Sequence, residues 1–429
     1  MSSRTISFPR FLLPLKLGLL LLSCSLSGLS GQDTGSGCPP GQSRVYPLIL
    51  QDTPTAIFTM RMLDQDYLSL DRLLSGLVNS SFRPIPSFAV QAAAHLIVFG
   101  NLTHEEAHRS ILNGLEIGSI SMPFMLSAKS GYVEGVSDQT LRHLRDTDFP
   151  DFIRLHTAGL ESDYMLMNRE TELMNFGDEN FRNLAVEFYL RKAAFMGYHL
   201  MGLLRLNTDG VEEKDELERD IVGNDIYGAV RHLHRPAMPY RRYTRYSDLT
   251  GVEKRYLDKI ALRSLFNLAD PALAGMTCFT INPGLKISIS MGHILCPFGD
   301  LIDENFRALV AGKYRIELYA RQYQNESAWF PAFGAGIRDL ALFGRLELSL
   351  SAHFWEQPRG LKFDEISADA GGAVEIQVRC DLLSRSSKKF DKFSVDLGAI
   401  CKTPGFLPEE ISLKNHWGVW IGFSFGFGG

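Results

Sequence analysis

Trp417-Gly418-Val419-Trp420-Ile421-Gly422-Phe423-Ser424-Phe425-Gly426-Phe427 sets a large apolar side chain at every second position. Successive residues of a strand point to opposite faces, so this run reads as a strand with one continuous apolar face. The same period of two recurs upstream. It links Leu285, Ile287, Ile289 and Met291, then Ile316, Leu318 and Ala320, then Leu346, Leu348 and Leu350. Val374, Ile376, Val378 and Cys380 continue it, as do Phe393, Val395 and Leu397. Gly, Pro, Asp and Asn separate the runs, as turns require. Residues 271–429 therefore read as an antiparallel β domain, either a barrel or a sandwich.

The final run resembles the last strand of bacterial outer-membrane barrels, in which lipid-facing and lumen-facing residues alternate. It departs from that pattern at its end, where Gly428-Gly429 follow the last Phe. A soluble sandwich with one buried face gives the same alternation.

Upstream of Pro271 the pattern is helical. Leu68, Leu70, Leu73, Leu74 and Leu77 recur at near-helical spacing within 56–82. After Pro84 and Pro86, Ser87 is placed to cap a helix, and Phe88 to Gly100 is apolar except at Gln91 and His95. That length falls short of a membrane span, so a buried core helix is expected. It leads into His104-Glu105-Glu106-Ala107-His108 and closes at Asn113-Gly114. Residues 115–137 suggest short strands. Further helices are expected over Phe149–Met174, Phe181–Leu206 (a core helix) and Val252–Asn267. The acidic run 212–216 and the Arg/Tyr-rich stretch 224–256 read as solvated surface. The fold class is α+β, with a helical half at 56–270 followed by the antiparallel β half.

Hydrophobic residues at 45% and charged residues at 22% exclude a disordered chain. A formal charge of −5 offers no positive field for nucleic acid. Residues 1–31 carry Arg4, Arg10 and Lys16 ahead of Leu17-Gly18-Leu19-Leu20-Leu21-Leu22, then small residues through Gly31, which is the layout of a secretory signal. Leu21-Leu22-Ser23-Cys24 also resembles a loose lipoprotein box, with Cys24 as the residue lipidated. Either route takes the chain out of the cytoplasm, to the cell envelope or beyond, and 32–55 reads as a linker. No CxxC pair occurs. In an oxidising compartment Cys278–Cys296 and Cys380–Cys401 are candidate disulfides, with the connectivity left open by the sequence.

His104 and His108 stand four residues apart and so share one face of a helix, where two imidazoles can hold one zinc ion. The five-residue motif resembles that of the zincin metallopeptidases. The likeness covers the motif and its surroundings, with charged Glu106 and Arg109 where uncharged residues are usual. It implies His104 and His108 as zinc ligands and Glu105 as the base that takes a proton from metal-activated water. The gluzincin branch implies a Glu from a downstream helix as third ligand, here Glu161, with Asp163 as its orienting acid and His156 competing. His232, His234 and Tyr227 are the candidate oxyanion donors. Asn224-Asp225 reads as a helix cap, with support of the metal ligands from behind as the alternative.

The expected function is a zinc-dependent peptidase of the cell envelope acting on a peptide or protein, with membrane association and no nucleic-acid partner. The alternative is a non-enzymatic outer-membrane or surface β-barrel or binding protein.

Overall fold

The computed structural model describes residues 44–427 except 54, 56, 126–130, 208–212 and 385–389. The secretory signal, Cys24 and Cys38 lie outside the described residues. Strand β1 (Arg44–Asp52) opens the fold, followed by helices α1 (Met60–Ser81), α2 (Pro84–Ala94) and α3 (Leu102–Gly114). A π-helical turn, His95–Phe99, joins α2 to α3. The two-residue strands β2 (Ile120–Ser121) and β3 (Val133–Glu134) come next. Then come α4 (Asp138–Thr147), α5 (Phe149–Phe176), α6 (Phe181–Leu200), α7 (Asp225–His234) and α8 (Gly251–Ser264). The chain ends in β4 (Phe279–Asn282), β5 (Leu285–Cys296), β6 (Gly299–Val310), β7 (Tyr314–Gln324), β8 (Trp329–Phe343), β9 (Leu346–Pro358), β10 (Ala368–Ser384), β11 (Lys392–Lys402) and β12 (His416–Phe427).

The α+β reading holds: a helical region is followed by one antiparallel sheet. The expected barrel or sandwich gives way to a single open sheet of ten strands, in the order β1-β12-β11-β10-β9-β8-β7-β6-β5-β4. From β4 to β12 every strand pairs with its sequence neighbour, the outcome of short turns between long strands. Among the described residues β1 and β4 do not pair, and helices fill the gap. Helix α1 lies along β1, while α5 and α8 lie against β5. Residues 44–52, read from sequence as linker, form β1 and pair with β12 from Arg44 opposite Phe427 to Asp52 opposite Trp420. Val45, Tyr46, Leu48, Ile49 and Leu50 are apolar, but Pro47 interrupts them and a Gly-, Ser- and Pro-rich stretch precedes them, so the strand is apparent only through its partner.

Helix α5 is the axis of the fold. Pro150 in its first turn suits a helix start, and Gly177 ends it with φ +74°, a left-handed conformation that favours glycine. One buried apolar cluster joins the halves, with Ile153 and Phe188 from helices and Ile294 and Phe406 from the C-terminal part.

One expectation about burial is corrected. The stretch 84–99 is not a buried core helix. The helix Pro84–Gly114 is long and apolar enough to cross a membrane, and 17% of its most apolar 18 residues are buried. Within 84–99 the buried residues are the polar ones, Ser87, Gln91 and His95. Ser87 therefore sits inside the helix, with Arg83 at the N-cap position. On α1, Leu70, Leu74 and Leu77 face outward, while Arg61, Asp64 and Arg72 are buried.

The candidate disulfides are also absent, since Cys278, Cys296, Cys380 and Cys401 are free. Cys401 pairs with Val374, so Cys380 lies about 20 Å further along β10 at 3.4 Å per residue. Phe279, next to Cys278, pairs with Ile287, which leaves Cys296 about 30 Å away along β5. A disulfide needs its Cα atoms within about 7 Å.

Candidate metal centre

The motif lies on α3, as its spacing predicts. His104 and His108 occupy consecutive turns with ring centroids 5.2 Å apart. Asp225, in the first turn of α7, faces them, with its Oδ2 3.1 Å from His104 Nε2 and 3.5 Å from His108 Nε2. Ligand atoms of His104, His108 and Asp225 all lie within 4.8 Å of one another. Asn224 is the N-cap of α7, its side chain accepting from Tyr227 N–H, so the capping role belongs to Asn224 and leaves Asp225 free to point at the histidines.

The other nitrogen of each imidazole is held. His104 Nδ1 lies 2.9 Å from Asp163 Oδ2, and His108 Nδ1 lies 2.6 Å from the Leu155 carbonyl oxygen. A carbonyl oxygen and a carboxylate only accept, so both Nδ1 atoms carry the proton and both Nε2 atoms turn toward Asp225. This is how a metal-binding histidine is oriented and its ligand atom made more basic. Asp163 is itself fixed by Arg191, which also donates to Thr103 Oγ1 at 2.9 Å and pairs with Glu187.

Close packing of α3 on α5 makes the geometry possible. A Cβ on Gly159 would lie 2.5 Å from His104 Nε2, so only glycine lets the imidazole pass there. Gly228 on α7 gives way to His156 in the same manner. Charged Glu106 and Arg109 do not prevent burial of the helix, because they pair at 2.7 Å and Glu106 also accepts from Ser121 of β2.

The structure places Glu161 elsewhere. Arg154 grips its carboxylate with Nε at 3.1 Å and Nη2 at 2.8 Å, and the Glu409 backbone N–H donates to it at 2.7 Å. Arg154 also donates to the carbonyls of Glu410 and Ile411, so the pair ties α5 to the loop before β12. Asp225, not Glu161, completes the group around His104 and His108. His156 is not in that group either. It is buried against Phe152 and His232, and burial lowers its pKa to about 3. Among the proposed oxyanion donors, Tyr227 Oη donates to the Leu206 carbonyl at 2.8 Å. His234 Nδ1 lies 2.9 Å from the Val230 carbonyl, and His232 packs against Phe152 and Tyr240. Asp225 carries a weak sequence signal, an acid directly after a capping Asn, and nothing local distinguishes it from an ordinary first-turn carboxylate.

Electrostatics suit a cation. Burial opposes charge on His104 and His108, yet Asp163 and Asp225 outweigh it for His104, and Asp225 does so for His108, raising both. Burial likewise opposes an ionised Asp225, and the two histidines overcome this and lower its pKa. Protons on the imidazoles thus balance the carboxylates where a metal would do so, and metal and protons compete for the site. Glu105 is pushed up to about 7, first by burial, partly offset by His104 and His108. Two neutralisable imidazoles and a carboxylate, with the outer nitrogens secured, fit the donor set of zinc.

Compared with protein-family models and with curated proteins, the chain matches none of them, and its likeness to zincins rests on the motif alone. Fold and site together define an α+β protein with a candidate His/His/Asp metal centre at the meeting of α3, α5 and α7.

Proposed function

We propose that this protein is a zinc-dependent hydrolase of the cell envelope that cleaves peptide bonds, with His104, His108 and Asp225 as ligands and Glu105 as the catalytic base. The observation that carries the reading is the set of two imidazole Nε2 atoms and one carboxylate within 4.8 Å, each Nδ1 engaged behind them. Zinc, when bound, supplies Lewis acidity that polarises a carbonyl and acidifies water. Glu105, with a pKa of about 7, is poised to take a proton near neutral pH and to hand it on to a leaving amine. A peptide as substrate is supported by β2, which lies against α3 through Ser121 and Glu106 and offers a short extended edge. The secretory layout of residues 1–31 supports the envelope as compartment.

Metal analysis of the full chain purified without chelator tests the ligand set. About one zinc per chain is expected, lost in His104→Ala and in Asp225→Ala. Glu105→Gln should keep its zinc and lose cleavage of a mixed peptide library. A folded wild-type chain that takes up no zinc would defeat the proposal and leave the non-enzymatic surface-protein reading. A zinc-loaded chain that cleaves no peptide would defeat the peptidase half alone.

A further inference from the structure

The sheet is built inside out for a protein in water. Arg321 of β7, Arg379 of β10 and Asp396 of β11 are buried, while Leu318, Ile376 and Leu397 on the opposite face of the same strands are 44%, 42% and 52% exposed. On β12, Gly418, Gly422 and Ser424 face inward, and Trp417, Val419 and Ile421 face outward. The inner face encloses a cavity of about 580 Å³ lined by charges. Their ion pairs run across strands, as in Arg315–Asp339 at 2.6 Å, Arg379–Asp339 at 3.1 Å and Arg379–Asp396 at 2.7 Å.

Two helices repeat the inversion independently. On α2 and the π turn, Ser87, Gln91 and His95 form the buried stripe, with Ser87 Oγ and Gln91 Nε2 donating to Asn79 Oδ1 at 2.6 and 3.1 Å. Ile85, Val90, Leu96 and Ile97 point away from the protein, as do Leu70, Leu74 and Leu77 of α1.

The open edges of the sheet are sealed by side chains. Along β1, Ile49 N–H donates to Asp66 at 2.7 Å, Ser69 Oγ donates to the Pro47 carbonyl at 2.6 Å, and Arg72 donates to the Val45 carbonyl at 3.1 Å. At the other edge the short β4 covers only Leu285–Ile287 of β5, and beyond it Asn267 both accepts from His293 N–H at 3.2 Å and donates to its carbonyl at 3.0 Å. These edge groups are buried against helices and turns, so the paired edges present no unsatisfied backbone group to hydrocarbon at these positions.

From these features we propose that the outer face of β5–β12, together with the outward sides of α1 and of Pro84–Phe99, is embedded in the acyl-chain region of a bilayer. Strands β5–β12 have 11 to 17 residues, against about 9–11 needed to cross hydrocarbon when tilted. The His104–His108 turns of α3 follow Pro84–Phe99 in the chain and are largely buried in protein. The inference is independent of the metal reading.

The full chain reconstituted with phosphatidylcholine vesicles brominated on the acyl chains tests it. The protein should float with the vesicles after an alkaline carbonate wash, and fluorescence of outward Trp417 should be quenched, as judged against Trp417→Phe. Ile421→Lys and Leu397→Lys should each lower the inserted fraction about ten-fold or more, while inward Gln377→Glu should leave it unchanged. A monodisperse chain in detergent-free buffer with unquenched tryptophan would overturn the proposal. So would carbonate-extractable binding, or a water-soluble oligomer that covers the face with a second copy. Folded, unaffected Ile421→Lys protein in the membrane would overturn it too.

Discussion

At the residue scale the decisive comparison is between two acids, Glu161 and Asp225. Glu161 is fully enclosed and chelated by Arg154, whereas Asp225 is enclosed against two imidazoles. Their substitutions should therefore fail differently. Glu161→Gln should retain its zinc while unfolding more readily, by on the order of 3 kcal/mol, because Arg154 is left as a buried charge without its partner. Asp225→Asn should lose zinc with a smaller change in stability. Zinc content and urea midpoints measured on the same preparations check both outcomes.

Glu105 gives a pH signature in the metal-free protein. Its carboxyl has a folded pKa of about 7 against an ordinary 4.5, so the folded state holds the proton more tightly. The stability that this proton contributes is complete below about pH 4.5 and is lost as pH rises toward 7. Relative to Glu105→Gln, the chelator-treated wild type should thus lose stability between about pH 4.5 and 7 and level off above. Thermal melts of the pair across that range check the sign, and a flat difference would refute the burial of an ionisable Glu105.

At the scale of elements, the site depends on how closely α3 approaches α5. A methyl on Gly159 would meet the His104 ring at 2.5 to 2.6 Å, and a helix in a packed core cannot yield that distance without moving the imidazole. Gly159→Ala should reduce zinc affinity by about ten-fold or more while far-UV circular dichroism stays helical. Zinc titration against a chromophoric chelator measures the loss, and unchanged affinity would mean that the two helices can separate at little cost. Elements were also where sequence reading was most secure. The periods of 3.6 and 2 locate α1, α3, α5, α6, β5, β7 and β9–β12, because amphipathic alternation follows from backbone geometry alone, while β6 and β8 show no such run of their own. The same periods leave direction open: Leu70, Leu74 and Leu77 mark a face of α1, and nothing in their spacing says that this face looks outward.

At the scale of the whole molecule, helical and β halves share one buried cluster, and Arg154, Arg61 and Arg169 of the helices bind Glu410 and Glu409 or the backbone beside them in the C-terminal half. β1, the first described strand, pairs with β12, the last. Residues 56–270 and 271–429 should therefore not fold as separate pieces, and the full chain should unfold in one transition. Denaturation followed by both Trp fluorescence and far-UV circular dichroism checks this, and two separated midpoints would contradict it.

What the sequence determined by itself was local: the α+β division, the order of most elements, and two histidines on one face of a helix with a Glu beside them. These follow from side-chain periodicity and from 3.6 residues per turn. The third member of the metal group, the paired fate of Glu161, the strand at 44–52 and the open sheet were decided only by tertiary structure. Each depends on residues far apart in the chain, such as Asp225 coming to His104 or Asp163 securing its Nδ1, and no local spacing encodes such a meeting. The orientation of the apolar faces belongs with them, because alternation specifies that a strand has two unlike faces and only packing chooses which one turns inward.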